Sequence, residues 1–227
     1  MTTRYGLVRV PVASPAYPEG LRRYLGPRAP VALTTLGSVD VLRQRMVALV
    51  CSVRCPGSVV TQTYELVRAL RDAGVTLIGG FHSPMERECL DLLLRGSQPV
   101  IVCPARSIER IRPPADWKAP LANGRLLVLS PFEAGRRRAS ADLAQSRNEL
   151  VAALADEVLI AYAEPGGKTE ALARTVLGWG KPVLTPDSSY NTALIALGAA
   201  AIGADQIARR WPDQEPAAAA RPLLAER

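Results

Sequence analysis

Between residues 46 and 202 the chain alternates short, almost wholly apolar runs with longer stretches in which apolar positions recur every three or four residues. Residues 46–51, 75–78, 99–103, 125–129, 157–161 and 182–185 are the short runs. Runs of this length with few polar interruptions predict strands buried on both faces. The stretches between them read as helices. Residues 58–72 set Val59, Thr63, Leu66 and Leu70 along one stripe, and residues 83–95, 140–155 and 169–179 follow as helices. Residues 191–197 predict a last turn or two of helix, and 200–202 an edge strand.

Strands that alternate with helices predict an α/β protein: a doubly wound, mostly parallel sheet covered on both faces, in a single domain spanning residues 46–205. Ahead of it, residues 1–45 read as an irregular, proline-rich lead-in with one short helix, because Pro11, Pro15, Pro18, Pro27 and Pro30 interrupt any long element. Residues 104–124 read as a proline-bearing excursion between two strands. Residues 206–227, with Pro212, Pro216 and Pro222, read as a flexible tail. Ligands of such sheets sit beyond the carboxyl ends of the strands, so the strand-to-helix junctions are where chemistry is sought.

Composition narrows the partners. No run approaches the ~20 apolar residues of a membrane span, and the first residues lack the apolar core of a signal peptide; the expectation is a cytoplasmic protein with no membrane partner. Twenty-eight basic against twenty-one acidic residues give a formal charge of +7, which favours a polyanion. A chain so rich in Ala, Arg, Pro and Gly can also be basic without one. Cys51, Cys55, Cys89 and Cys103 form no CxxC pair and His82 is the only histidine, so reduced thiols and neither metal nor cofactor are predicted.

Four places carry polar residues that suit an anion. After the first core strand, Ser52 and Arg54 offer a hydroxyl and a guanidinium. After the second, Gly79 and Gly80 would let backbone approach a ligand, and His82 is either a contact to base or phosphate or a polar turn residue. In the helix at 140–155, Arg147 shares the inward stripe of Leu143 and Leu150, beside Asn148. A cation so placed is costly unless it meets an anion or carbonyls. Lastly, Gly166, Gly167, Lys168 and Thr169 lie between strand and helix. They are not a P-loop, since Tyr162 stands where GxxxxGK[ST] requires glycine. Helix-start N–H groups beside a lysine still make an anion cradle.

In this order, the motifs resemble the DNA-processing protein A (DprA/Smf) family, from residue 17 to 202. Its glycine-serine-arginine turn is matched by residues 51–54, its serine-glycine-leucine-alanine stretch by 79–82, and its arginine-asparagine-arginine helix start by Arg147, Asn148 and Glu149. Tyr17-Pro18 with Leu21 is similar to the family's upstream pattern, and residues 191–199 to its closing asparagine-leucine-isoleucine-glycine-alanine stretch. Pro84-Met85-Glu86 replaces a glycine-isoleucine-aspartate, and Glu149 the second arginine, which marks a divergent member. Residues 165–169 and 181–183 are also similar to the phosphoribohydrolases of the "lonely guy" (LOG) family, but Leu172 stands where that family has its catalytic glutamate.

The resemblance implies a Rossmann-like core and a non-catalytic protein that binds single-stranded DNA in a basic crevice, in recombination or natural transformation, as a homodimer and with a RecA-type recombinase. The alternative is a nucleotide or nucleotide derivative in the same crevice, bound with or without N-glycosidic hydrolysis, for which Glu86 or Glu170 would be the acid–base group. The expected binding residues are Ser52, Arg54, Gly79, Gly80, His82, Arg147, Asn148, Gly166, Gly167, Lys168 and Thr169, with none catalytic.

Overall fold

The sheet orders its strands β1-β2-β6-β5-β4-β3-β7-β8-β9, as seen in a computed structural model that describes residues 6–212. Its parallel part is β3 (Met46–Val50), β4 (Thr76–Gly79), β5 (Val100–Val102), β6 (Leu126–Ser130), β7 (Glu157–Ile160), β8 (Val183–Pro186) and β9 (Ala200–Ile202). From β3 the chain winds outward through β4 and β5 to β6. It then crosses back to lay β7 on the other side of β3. That reversal opens a crevice above the carboxyl ends of β3 and β7, where open α/β sheets place ligands.

Alternation along β3 explains why both faces are covered. Met46, Ala48 and Val50 enter one core cluster, and Val47, Leu49 and Cys51 the other. The first cluster is closed by α1 (Glu19–Leu25), α5 (Ala141–Leu154) and α6 (Lys168–Gly178), through Leu21, Leu150, Val151, Leu172 and Val176. The second is closed by α2 (Gly57–Asp72) and α3 (Pro84–Leu94), through Leu66, Leu70, Cys89 and Leu93. Short helices α4 (Lys118–Ala122) and α7 (Thr192–Ala196) complete the connections. The result is the expected α/β, Rossmann-like fold with a mostly parallel sheet.

Two segments differ from the sequence reading. The lead-in is not irregular: β1 (Leu7–Pro11) and β2 (Ala32–Leu36) pair antiparallel with each other, and β2 pairs antiparallel with β6. The prolines fall at strand ends or in the connection around α1, where a missing N–H costs no ladder bond. The start of the tail is also ordered. Helix α8 (Ile207–Arg210) delivers Trp211, 1% exposed, into the second core cluster. The rest of the tail, residues 213–227, lies outside the described residues.

Helix α5 is fixed at both sides. Gly20 of α1 lies against Ala153, where a Cβ would come within 2.7 Å of the carbonyl oxygen. At its C-terminus the buried Lys181 donates from Nζ to the carbonyls of Ala152 and Ala153, at 2.8 Å each, and to that of Ala155. The same ammonium sits 4.1 Å from the centre of the Tyr24 ring. A lysine cation thus satisfies the helix's orphan carbonyls.

Candidate functional site

A hollow of about 330 Å³ occupies the crevice at the β3/β7 reversal. Its walls come from the loop after β3, the loop after β4, the first half of α5 and the start of α6. Of the residues expected to bind, it is lined by Ser52, His82, Arg147, Asn148, Gly167, Lys168 and Thr169. Arg54, Gly79, Gly80 and Gly166 are not part of its lining.

The first wall is tied to the last. Ser52 donates its N–H to the Tyr162 carbonyl at 2.9 Å, and its Oγ accepts the Glu164 N–H at 3.0 Å. The Ser52 hydroxyl is therefore a structural link between two loops. Residues 164–167 close as a turn, with the Gly167 N–H donating to the Glu164 carbonyl at 2.9 Å and Gly166 at φ +70. Pro165 followed by a glycine at positive φ is the signature of a type II turn, so Gly166 serves the bend. Gly167 then caps α6, which begins at Lys168. The first N–H groups of a helix have no intrahelical acceptor, and here they open at the hollow's rim.

The second wall turns at Phe81, whose φ of +47 is unusual for an aromatic residue. Beyond it the Glu86 carboxylate accepts the N–H groups of His82 at 2.9 Å and Ser83 at 3.0 Å, and Ser83 Oγ accepts the Glu86 N–H at 3.2 Å. This is a complete capping box for α3. Glu86 is 6% exposed and engaged in holding the helix start.

Arg147 forms the floor. It is 4% exposed, as its place on the inner stripe of α5 predicts. Its Nη1 donates to the Cys103 carbonyl at 3.0 Å, while its Nε is buried with no partner. Among the described residues no carboxylate lies within ion-pair distance of it. The space for this guanidinium is supplied by Gly80, since a Cβ there would overlap it. The glycine pair was expected to admit a ligand. Instead Gly80 admits the protein's own arginine, and Gly79 lies inside β4 with the Phe81 ring against it.

The hollow is not uniformly positive or glycine-lined, as the sequence reading had it. Arg147 and Lys168 share it with Glu86, Glu149 and Glu164. Two of those carboxylates have internal partners: Glu86 the capping box, and Glu149 the guanidinium of Arg28. Lys168 is exposed and forms no ion pair among the described residues. Glu170, considered as an acid–base group, accepts from Arg174 at 2.8 Å and from the Gly166 N–H at 3.1 Å. Those two bonds, Arg174 first, hold its pKa below the usual carboxylate value. It does not line the hollow.

The four cysteines are free thiols, three of them buried and Cys55 half-buried. A hydrogen bond from Cys51 lowers the Cys55 pKa and raises that of Cys51, and burial pushes Cys103 up to about 12.

The profile of the DNA recombination-mediator protein A family matches residues 9–211. The chain belongs to that family. Among solved structures it is similar to DNA processing protein A (DprA) from Streptococcus pneumoniae, at 19% identity and a TM-score of 0.75 over 92% of this chain and 74% of that one. It is equally similar to DprA from Helicobacter pylori, at 20% identity and a TM-score of 0.73 over 92% of this chain and 97% of that one. The H. pylori structure concerns that protein's single-stranded DNA binding mode. A molybdenum cofactor binding protein from Rippkaea orientalis shares the fold at 10% identity and a TM-score of 0.50, over 74% of this chain and 95% of that one. No curated protein matches the sequence. Among the described residues, no helix is long and apolar enough to cross a membrane.

Proposed function

We propose that this DprA-family chain binds single-stranded DNA without catalysing a reaction on it, and that the hollow over Arg147 receives a phosphate of the strand. The observation that carries this reading is the buried guanidinium with no carboxylate partner and an unpaired Nε. A buried cation without a counter-charge is unfavourable, and an incoming phosphate would supply both charge and acceptors. Lys168, Asn148 and the N–H groups that begin α6 line the same space and would complete the oxyanion's contacts. The family membership and the DNA-binding mode described for the H. pylori relative support the choice of ligand.

The engagement of the two carboxylates considered as acid–base groups supports the non-catalytic reading. Glu86 is engaged by two backbone N–H groups and Glu170 by Arg174 and Gly166, so neither is free to exchange a proton with a substrate. Fluorescence anisotropy with a labelled oligothymidylate tests the reading. The wild type should bind at low salt, with affinity falling as salt rises. Absence of binding at low salt rejects it.

One observation favours a second reading. The hollow's volume of about 330 Å³ falls at the small end of small-ligand sites, and its balanced charge suits one nucleotide as well as a strand. A thermal-shift panel of mononucleotides separates the two, because a bound ligand raises apparent stability by mass action.

A further inference from the structure

The loop that accepts Arg147 continues away from the hollow into a second cleft. Cys103, whose carbonyl takes the Arg147 Nη1, begins the segment that follows β5, and Arg106, Arg110 and Arg112 lie along it. Together with Arg137, from the loop after β6, these residues line a cleft of about 390 Å³. Glu109 is its one carboxylate. All four arginines are exposed, and none of them pairs with an acidic side chain among the described residues. The composition of the cleft is therefore the reverse of the hollow's, where Arg147 and Lys168 share the lining with three carboxylates.

The cleft is built rather than incidental. Ile108, fully buried, pins the first loop to the core. Ser107 donates its N–H to the Arg136 carbonyl at 2.8 Å, which ties the two loops together. Ser130 Oγ donates to the Arg106 carbonyl at 2.8 Å and accepts the Phe132 N–H at 3.1 Å, which ties both to the end of β6. Arginine side chains carried on cross-linked backbone present planar forks suited to bidentate contact with phosphates. The position is also right. β4, β5 and β6 are neighbours in the sheet, and adjacent strands are ~4.8 Å apart, so the loops after β5 and β6 follow the loop after β4 along the same rim.

We infer that the cleft of Arg106, Arg110, Arg112 and Arg137 is a second phosphate-backbone subsite, which holds the continuation of a polynucleotide strand whose other part occupies the hollow. This rests on the proposed single-stranded DNA function and adds to it a direction and a length. The hollow fixes one phosphate, and the arginine cleft supplies the sequence-independent attraction that the charge-balanced hollow lacks.

The test compares oligothymidylates of about six and about twenty-four nucleotides, a span that brackets single-strand site sizes. Anisotropy titrations at several salt concentrations would use the wild type, Arg110→Ala/Arg112→Ala and Arg106→Ala/Arg137→Ala, with melting curves confirming that the variants fold. Each double variant should lose about tenfold in affinity for the long strand and reduce the salt slope by ~0.7 for every phosphate contact removed. Affinity for the short strand should change less than about twofold. Unchanged long-strand binding, or an equal loss at both lengths, overturns the inference while leaving the hollow's function standing. Failure of the wild type to bind either strand overturns both, and is visible before any variant is made.

Discussion

The guanidinium of Arg147 fills the space that a side chain on Gly80 would require. The two residues are one device, in which a glycine at the end of a strand creates a berth and an arginine from the facing helix occupies it. Gly80→Ala should therefore cost about 1–3 kcal/mol through overpacking and weaken DNA binding by displacing the guanidinium. In an Arg147→Ala background the same change should cost little. A double-mutant cycle by urea denaturation measures the coupling; additive losses would show that the pair acts independently.

Arg147→Met separates binding from folding. The substitution removes a buried cation whose only hydrogen bond to a described residue is that from Nη1 to the Cys103 carbonyl. Stability should change by less than about 1.5 kcal/mol, since an apolar replacement of similar shape offsets the lost bond. Affinity for single-stranded DNA should fall at least about tenfold and the salt slope by ~0.7. Parallel denaturation and anisotropy measurements check both halves.

Lys181 should make stability depend on alkaline pH. Burial pushes its ammonium down to about 8, against an ordinary value of ~10.4 in the unfolded chain. Between those values the unfolded state binds more protons than the folded state, so stability should rise with pH through that window. Lys181's contribution is fully present above the unfolded value and is lost as pH falls through about 8. Lys181→Met should abolish that rise and lower stability by about 2–4 kcal/mol, because three carbonyls at the end of α5 lose their donor. Denaturation midpoints across the alkaline range give both results.

Trp211 should behave as a core residue. Trp211→Ala should cost about 3–5 kcal/mol. Trp211→Phe should cost much less, since the indole Nε1 has no hydrogen-bond partner to lose. Equal losses from both substitutions in thermal melts would mean that the indole nitrogen matters after all.

The parallel core was legible because its strands are short, almost wholly apolar runs and its longer helices carry stripes; β3 and α2 needed no tertiary information. β1 and β2 were not, because the prolines of residues 11–30 hid strands that those same prolines merely bound. Trp211 was missed because one aromatic among prolines gives no period, although it packs the end of α8 into the core. At the site, the inward position of Arg147 followed from its spacing to Leu143 and Leu150. The purpose of Gly80 did not, since a sequence cannot say whether a glycine makes room for a ligand or for the protein's own side chain. The arginines at 106, 110, 112 and 137 lay in what read as connecting segments. Their signal was local density of one residue type, and the gathering of two such loops into one cleft depends on β5 and β6 being neighbours.

Ser52 has the last consequence. By bonding to Tyr162 and Glu164 it couples the loop after β3 to the one that begins α6, so that side of the hollow's mouth is one stitched wall and not a pair of independent flaps. A ligand meeting such a wall finds its contacts there already arranged and sacrifices little conformational freedom of the host. Association should then follow a single exponential whose rate is proportional to concentration, without the plateau that a slow opening step would impose.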